Sequence, residues 1–134
     1  MNRIRTWFCL ALFTIAFAAC KKDNSVNING DIKLNLQNNG TVISAKSGQS
    51  IALTLQNPGD GGYDFDTPQF DGRILNLLKH IHIAPTSNNL GDFGTDTWLF
   101  AVTGSGNTAL TITASRFGNN NSPVTMFNGT IKVN

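Results

Sequence analysis

The stretch LTLQNPGDGGYDF, residues 53–65, begins as a strand and then breaks. Leu53 and Leu55 alternate with Thr54 and Gln56, the period of a half-buried strand. The chain then meets Asn57, Pro58 and three glycines, and alternation returns at Tyr63 and Phe65. Roughly two residues suffice to close a hairpin, yet six separate Gln56 from Tyr63. Pro58 fixes one φ angle, and the glycines keep the tip slim and free to reach φ > 0. The stretch reads as a rigid loop carried on a strand scaffold.

Period two continues outward from this stretch. Ile32, Leu34 and Leu36 alternate with Lys33 and Asn35, and Ile51 extends the Leu53–Leu55 series. Leu99 to Val102, Ala109 to Thr113, Met126-Phe127 and Ile131 to Val133 are further β-prone runs. Asn-Gly, Gly-Ser-Gly-Asn and Asn-Asn-Asn clusters separate them. Glutamate is absent and asparagine abundant, which suits strands and turns better than helices. Arg73 to Ile83 opens with helical spacing at Ile74, Leu77 and Leu78, then alternates from Lys79, predicting a strand with an irregular start. The fold class expected is all-β: an immunoglobulin-like antiparallel β-sandwich of about seven strands. Its core is expected to draw on Ile32, Leu34, Ile51, Leu53, Leu55, Ile81, Ile83, Leu99, Ala101, Leu110, Ile112 and Val133.

The first residues belong to another logic. Arg3 and Arg5 precede an apolar run from Trp7 to Phe17, then Ala18, Ala19 and Cys20. A basic start, a short apolar run and small residues before a cleavage point describe a signal peptide. The run is shorter than the roughly 20 residues of a spanning helix. Small-small-Cys resembles the lipobox of bacterial lipoproteins, although Phe17 stands where leucine is usual. The expected organisation is a signal peptide over 1–19, an acylated Cys20 with a polar tether over 20–29, and a sandwich domain over 30–134. The protein is then exported and membrane-anchored on the periplasmic or cell-surface side.

Composition excludes several functions. Of the two cysteines, Cys9 lies within the signal and Cys20 at its end, so no disulfide is expected in the domain. Removing Arg3 and Arg5 takes the formal charge from +2 to 0, and Arg73 and Arg116 make no nucleic-acid footprint. His80 and His82 share one strand face and are metal ligands by type, but without a convincing third ligand they read as exposed strand histidines. Asp60, Asp64, Asp66 and Asp71 do not match a calcium loop and read as turn aspartates. No nucleophile elbow or phosphate-cradling loop is present. No catalytic residue, metal or cofactor is expected; the protein is not an enzyme.

Binding is therefore assigned to loops, which gather at the ends of a sandwich. Three stand out: Asn57-Pro58-Gly59-Asp60-Gly61-Gly62-Tyr63; Leu90-Gly91-Asp92-Phe93-Gly94, before the strand near Trp98; and Ser115 to Asn121, with Arg116-Phe117-Gly118 at its head. In that order they resemble the chagasin family of cysteine-protease inhibitors over roughly residues 39 to 134. The family's first loop reads Asn-Pro-Thr-Thr-Gly-aromatic, matched by Asn57-Pro58 and Gly62-Tyr63 with one residue more between. Its glycine-rich second loop corresponds to Leu90-Gly91-Asp92-Phe93-Gly94-Thr95, and its Arg-Pro-Trp to Arg116-Phe117-Gly118. The third loop here lacks both the proline and the tryptophan.

The resemblance implies a reversible, noncovalent inhibitor that inserts three end loops into the cleft of a papain-like cysteine protease. It also implies an immunoglobulin-like domain, here expected to be a monomer held to a membrane through Cys20. A surface lipoprotein module binding glycan or protein is the alternative. Glycan sites favour exposed aromatic platforms, and only Tyr63 and Trp98 lie beyond the signal among tyrosines and tryptophans.

Overall fold

A computed structural model describes residues 28–86 and 89–134. The signal segment, Cys20 and most of the tether lie outside the described residues. Among the described residues, eight strands form two sheets: β1 (Ile32–Leu34), β2 (Val42–Ala45), β3 (Ser50–Gln56), β4 (Tyr63–Phe65), β5 (Leu75–Ile83), β6 (Thr95–Val102), β7 (Gly106–Arg116) and β8 (Asn119–Val133). One sheet has the order β1-β3-β6-β5 and the other β2-β8-β7-β4. The expected sandwich is present.

Two edge pairings depart from the antiparallel expectation. β1 runs parallel to β3, and β2 runs parallel to β8. The cause is the connection between β1 and β2, which changes sheet instead of folding back. It contains a 3-10 helix, Leu36–Asn38, closed by reciprocal bonds. The Gln37 amide donates to Asn35 Oδ1 at 2.8 Å, and the Asn35 amide donates to Asn38 Oδ1 at 2.9 Å. Each strand thus lands beside one that runs its own way. Leu36 ends up exposed on this helix and not in line with Ile32 and Leu34.

Trp98, Phe100, Phe127, Ile51, Leu53, Leu75, Leu110, Ile112, Ile131 and Val102 are the largest fully buried side chains. Leu34, Leu55 and Val133 join them as expected, while Ile32 is half-buried against them. Leu99 and Ala101 are only half-buried, on the opposite face of β6. Residues 98–102 are apolar throughout, so alternation gives no phase. Pairing of Leu53 with Trp98 and Ile51 with Phe100 turns the aromatics inward, where their larger area is removed from water.

Ile81 and Ile83 also fail the core expectation. Ile81 is half-buried and Ile83 is 50% exposed. A turn over residues 72–74 leads into β5, which then carries a bulge: Leu77 pairs with Phe100, but Lys79 already pairs with Leu99. The surplus residue, Leu78, reverses the facing of everything after it. His80 and His82 therefore take the face of Trp98 and Asp96, and the isoleucines take the outer face.

Strand directions bring three connections to one pole. β3, β5 and β7 end there, and β4, β6 and β8 begin there. Ile32 at the start of β1 and Asn134 after β8 line a common hollow with Ala45, Lys46 and Gln49 at the other pole.

Candidate functional site

The first loop is a capped 3-10 turn. Asn57 is its N-cap: its side-chain Oδ1 accepts from the Gly59 amide at 2.9 Å. Pro58 occupies the first turn of the 3-10 helix Pro58–Gly61, where its missing N–H costs nothing. Gly62 closes it at φ 73°, and its amide donates to the Gly59 carbonyl at 3.0 Å. A left-handed C-cap is costly for any residue with a Cβ. Both ends are thus fixed by local bonds, as an Asn-Pro start and a glycine stop predict.

The second loop packs onto this tip. The Asn57 amide donates to the Gly94 carbonyl at 2.9 Å, and Gln56 Nε2 donates to Asp92 Oδ1 at 3.3 Å. Asp92 Oδ1 also accepts from the Gly94 amide at 2.9 Å. Phe93 lies against Gly59 so closely that a Cβ there would fall 2.6 Å from Phe93 Cδ1. A side chain at position 59 would force the Phe93 ring to move. Leu90 is fully exposed, and Gly91 approaches the Asp60 carboxylate.

The third loop is shorter than Ser115 to Asn121 implied. The β7–β8 ladder continues to Arg116 paired with Asn119, leaving Phe117-Gly118 as the tip. Gly118 at φ 74° lets two residues reverse the chain. The asparagine run therefore belongs to β8. The Phe117 amide donates to the Gly62 carbonyl at 3.1 Å, joining the third loop to the first. The Arg116 guanidinium carbon stands 5.4 Å from the centre of the Tyr63 ring, a cation–π contact that holds the base of the first loop. Leu90, Phe93 and Phe117 remain exposed along the resulting edge. A shallow hollow of ≈ 270 Å³ beside them is lined by Pro58, Asp60, Gly61, Tyr63, Val124 and Met126.

Sequence reasoning missed the buried base of this edge. Asp96, 3% exposed, accepts from three side chains. Asn57 Nδ2 donates to its Oδ2 at 2.7 Å, His80 Nε2 lies 2.7 Å from Oδ1, and His82 Nδ1 lies 3.0 Å from Oδ2. Burial pushes the Asp96 carboxyl up, but the bonds from Asn57, His82 and His80 outweigh it and leave it below its ordinary value. His80 also stacks on Trp98, with ring centres 4.6 Å apart and planes 9° from parallel, while Phe65 meets Trp98 edge-on. The available signal was the two-residue spacing of the histidines; their facing was hidden by the bulge. Among the described residues, no group of three ligand-type side chains is arranged to hold a metal ion.

The aspartates of residues 60–71 do not converge. Asp64 accepts from the Phe65 amide, Asp66 from Thr113 and Ser115, and Asp71 from Arg73.

Residues 44–133 match the sequence profile described as chagasin family peptidase inhibitor I42. The chain belongs to the chagasin family. Members of this family are inhibitors, not enzymes. The crystal structure of the cysteine protease inhibitor EhICP2 from Entamoeba histolytica superposes with a TM-score of 0.63 at 10% identity, covering 77% of this chain and 94% of that one. The solution structure of amebosin gives 0.61 at 20% identity, covering 77% and 97%. PbICP-C, solved in complex with falcipain-2, gives 0.52 at 11% identity, covering 77% and 99%. At these identities the likeness speaks to the fold. No curated protein matches the chain. The chagasin-family sandwich here keeps the first loop one residue longer and ends its third loop on Phe117-Gly118.

Proposed function

We propose that this chagasin-family chain is a reversible, noncovalent inhibitor of papain-like cysteine proteases. Residues 57–63, 90–94 and 116–118 enter the active-site cleft as one edge. The observation that carries this reading is the bonding between the loops. Asn57 N–H to Gly94 carbonyl and Phe117 N–H to Gly62 carbonyl unite three loops from two sheets before any partner arrives. Such an edge loses little conformational freedom on binding, which is where loop-mediated affinity is usually lost. Its exposed phenyl groups, Phe93 and Phe117, are suited to apolar subsites.

Inhibition by wedging needs no nucleophile. The slim 3-10 tip approaches the catalytic cysteine through backbone and glycine, and offers it no strained bond to attack. The inhibited enzyme therefore recovers when the complex is diluted. Family membership supports the inhibitory class, and the PbICP-C complex with falcipain-2 supports a cysteine protease as partner. The glycan-module alternative loses its aromatic platform. Trp98 is 1% exposed, and Tyr63 is half-buried beneath Arg116.

The test is titration of residues 28–134 against papain. Stoichiometric loss of activity that returns on dilution supports the reading. Failure against every papain-like enzyme tried refutes it.

We further propose that Cys20 is acylated and that residues 21–29 tether the domain to a membrane. Each buried methylene contributes about 0.8 kcal/mol, so several acyl chains give lasting attachment. Mass spectrometry of the mature N-terminus tests this, and an unmodified end downstream of Cys20 refutes it.

A further inference from the structure

We infer that Asp96 is a positioning residue for the first loop, its buried carboxylate held by His80 and His82 and fixing the Asn57 amide group and, through it, the Pro58–Gly61 tip. This rests on the inhibitor reading for its functional consequence.

The inward face of β6 runs Val102, Phe100, Trp98 and then Asp96. An apolar residue would continue that series at lower cost, because a buried carboxylate must be fully bonded to be tolerated. It is fully bonded, and its partners come from two places. His80 and His82 belong to β5; Asn57 belongs to the loop.

Asn57 is engaged at both ends of its side-chain amide. Nδ2 donates to Asp96, and Oδ1 accepts from the Gly59 amide inside the tip. Its backbone amide meets the Gly94 carbonyl, two residues before Asp96. The position of one carboxylate therefore sets the Asn57 rotamer, which sets the tip. A carboxylate accepts from all three donors at once, where a neutral amide at the same place offers one oxygen and presents an N–H₂ to the others.

Other charged groups at this pole are engaged elsewhere. Leu55 stands opposite Asp96 on β3, and Lys79 points to the other face of β5. Asp92 bonds Gln56 and Gly94, Asp60 lies toward Gly91, and Asp64 bonds Phe65. Asp66 bonds Thr113 and Ser115, and Arg116 covers Tyr63.

The experiment uses the full chain with Asp96→Leu, Asp96→Asn and, as a control distant from the loops, Ile112→Val. The readouts are inhibition of papain, thermal melt and solvent exchange of the Gly59 amide proton by NMR. A folded Asp96→Leu is expected to inhibit about tenfold more weakly, with Gly59 exchange about tenfold faster, the scale of losing a bond to a charged group. Ile112→Val should lower the melt without changing Gly59 exchange.

In Asp96→Asn, one acceptor oxygen remains where the carboxylate offers two, so Asn57 and the histidines compete for it. Gly59 exchange in this variant should be faster than in the wild type at the same pH. Unchanged Gly59 exchange in folded Asp96→Leu overturns the inference, as does equal acceleration in Ile112→Val. If Asp96→Leu does not fold, Gly59 exchange in Asp96→Asn equal to that of the wild type overturns it. A wild type that inhibits no papain-like enzyme removes the inhibitor reading alone, and Gly59 exchange still decides the role of Asp96.

Discussion

Gly59→Ala separates inhibition from folding. The new Cβ would lie 2.6 Å from Phe93 Cδ1 and 2.9 Å from Asn57 Oδ1. Carbon atoms pack best at roughly 3.5 to 4.0 Å, so the Phe93 ring must retreat by about 1 Å. Gly59 lies within a 3-10 turn and not at a positive φ, so the backbone itself accepts alanine. The folding cost thus falls on the ring and on the Asn57 cap, whose Oδ1 must also give way. Uncovering some tens of Å² and leaving a preferred rotamer together cost about 1 kcal/mol. For a domain near 100 residues that lowers the melt by about 4 to 8 °C.

Inhibition should suffer more, because the ring and the tip meet at the edge that enters the cleft. A loss of about 2 kcal/mol, or roughly thirtyfold in the inhibition constant, is the scale of a hot spot. Gly61→Ala is the comparison. Its Cβ meets only Tyr63, at 3.2 Å, and should cost less. The assay is a tight-binding titration of papain paired with a thermal melt of each variant. A folded Gly59→Ala inhibiting within about twofold of wild type would refute the idea that the Phe93–Gly59 contact shapes the working edge.

Three further outcomes are expected. Gly94→Ala combines φ 79° with a Cβ 2.1 Å from the Ile83 carbonyl oxygen, so it should destabilise by more than about 2 kcal/mol; an unchanged melt contradicts this. Phe127→Ala empties a fully buried site and should cost about 3 to 5 kcal/mol in denaturant unfolding, with inhibition by the surviving folded fraction retained. Acid should destabilise the domain below the ordinary carboxylate value of 3.8. Hydrogen bonds from Arg73 hold Asp71 at about 2, and Asp96 is also lowered. Carboxyls depressed in the folded state stabilise it above that value and lose the contribution as the pH falls through their folded values. Melts from about pH 5 to 2 should drop most between 4 and 2, and Asp71→Asn should flatten the drop.

Alternation was informative where the two faces differed in polarity. β7 places Thr108, Leu110, Ile112 and Ala114 inward, with Ala109, Thr111 and Thr113 between them exposed or half-buried, and its phase was legible. β6 is apolar on both faces at residues 98–102, so its phase came only from pairing with β3. In β5 a single extra residue at Leu78 inverted the rule for all that followed, hiding the outward isoleucines and the contact of the histidines, exposed as expected, with Asp96 and Trp98. The first loop was legible because capping is local: Asn57, Pro58 and Gly62 act on neighbours in sequence. The third was misjudged in length, because an asparagine run that reads as a loop is drawn into the β8 ladder. The Asp96 cluster joins residues 57, 80, 82 and 96, a spacing no periodicity reveals.

The shared hollow of Ile32 and Asn134 has a practical side. A fusion partner or solid support joined at Asn134 sits a full strand away from the three loops. β3 alone spans seven residues, or about 23 Å at strand rise. The three loops then stay uncovered by the attachment.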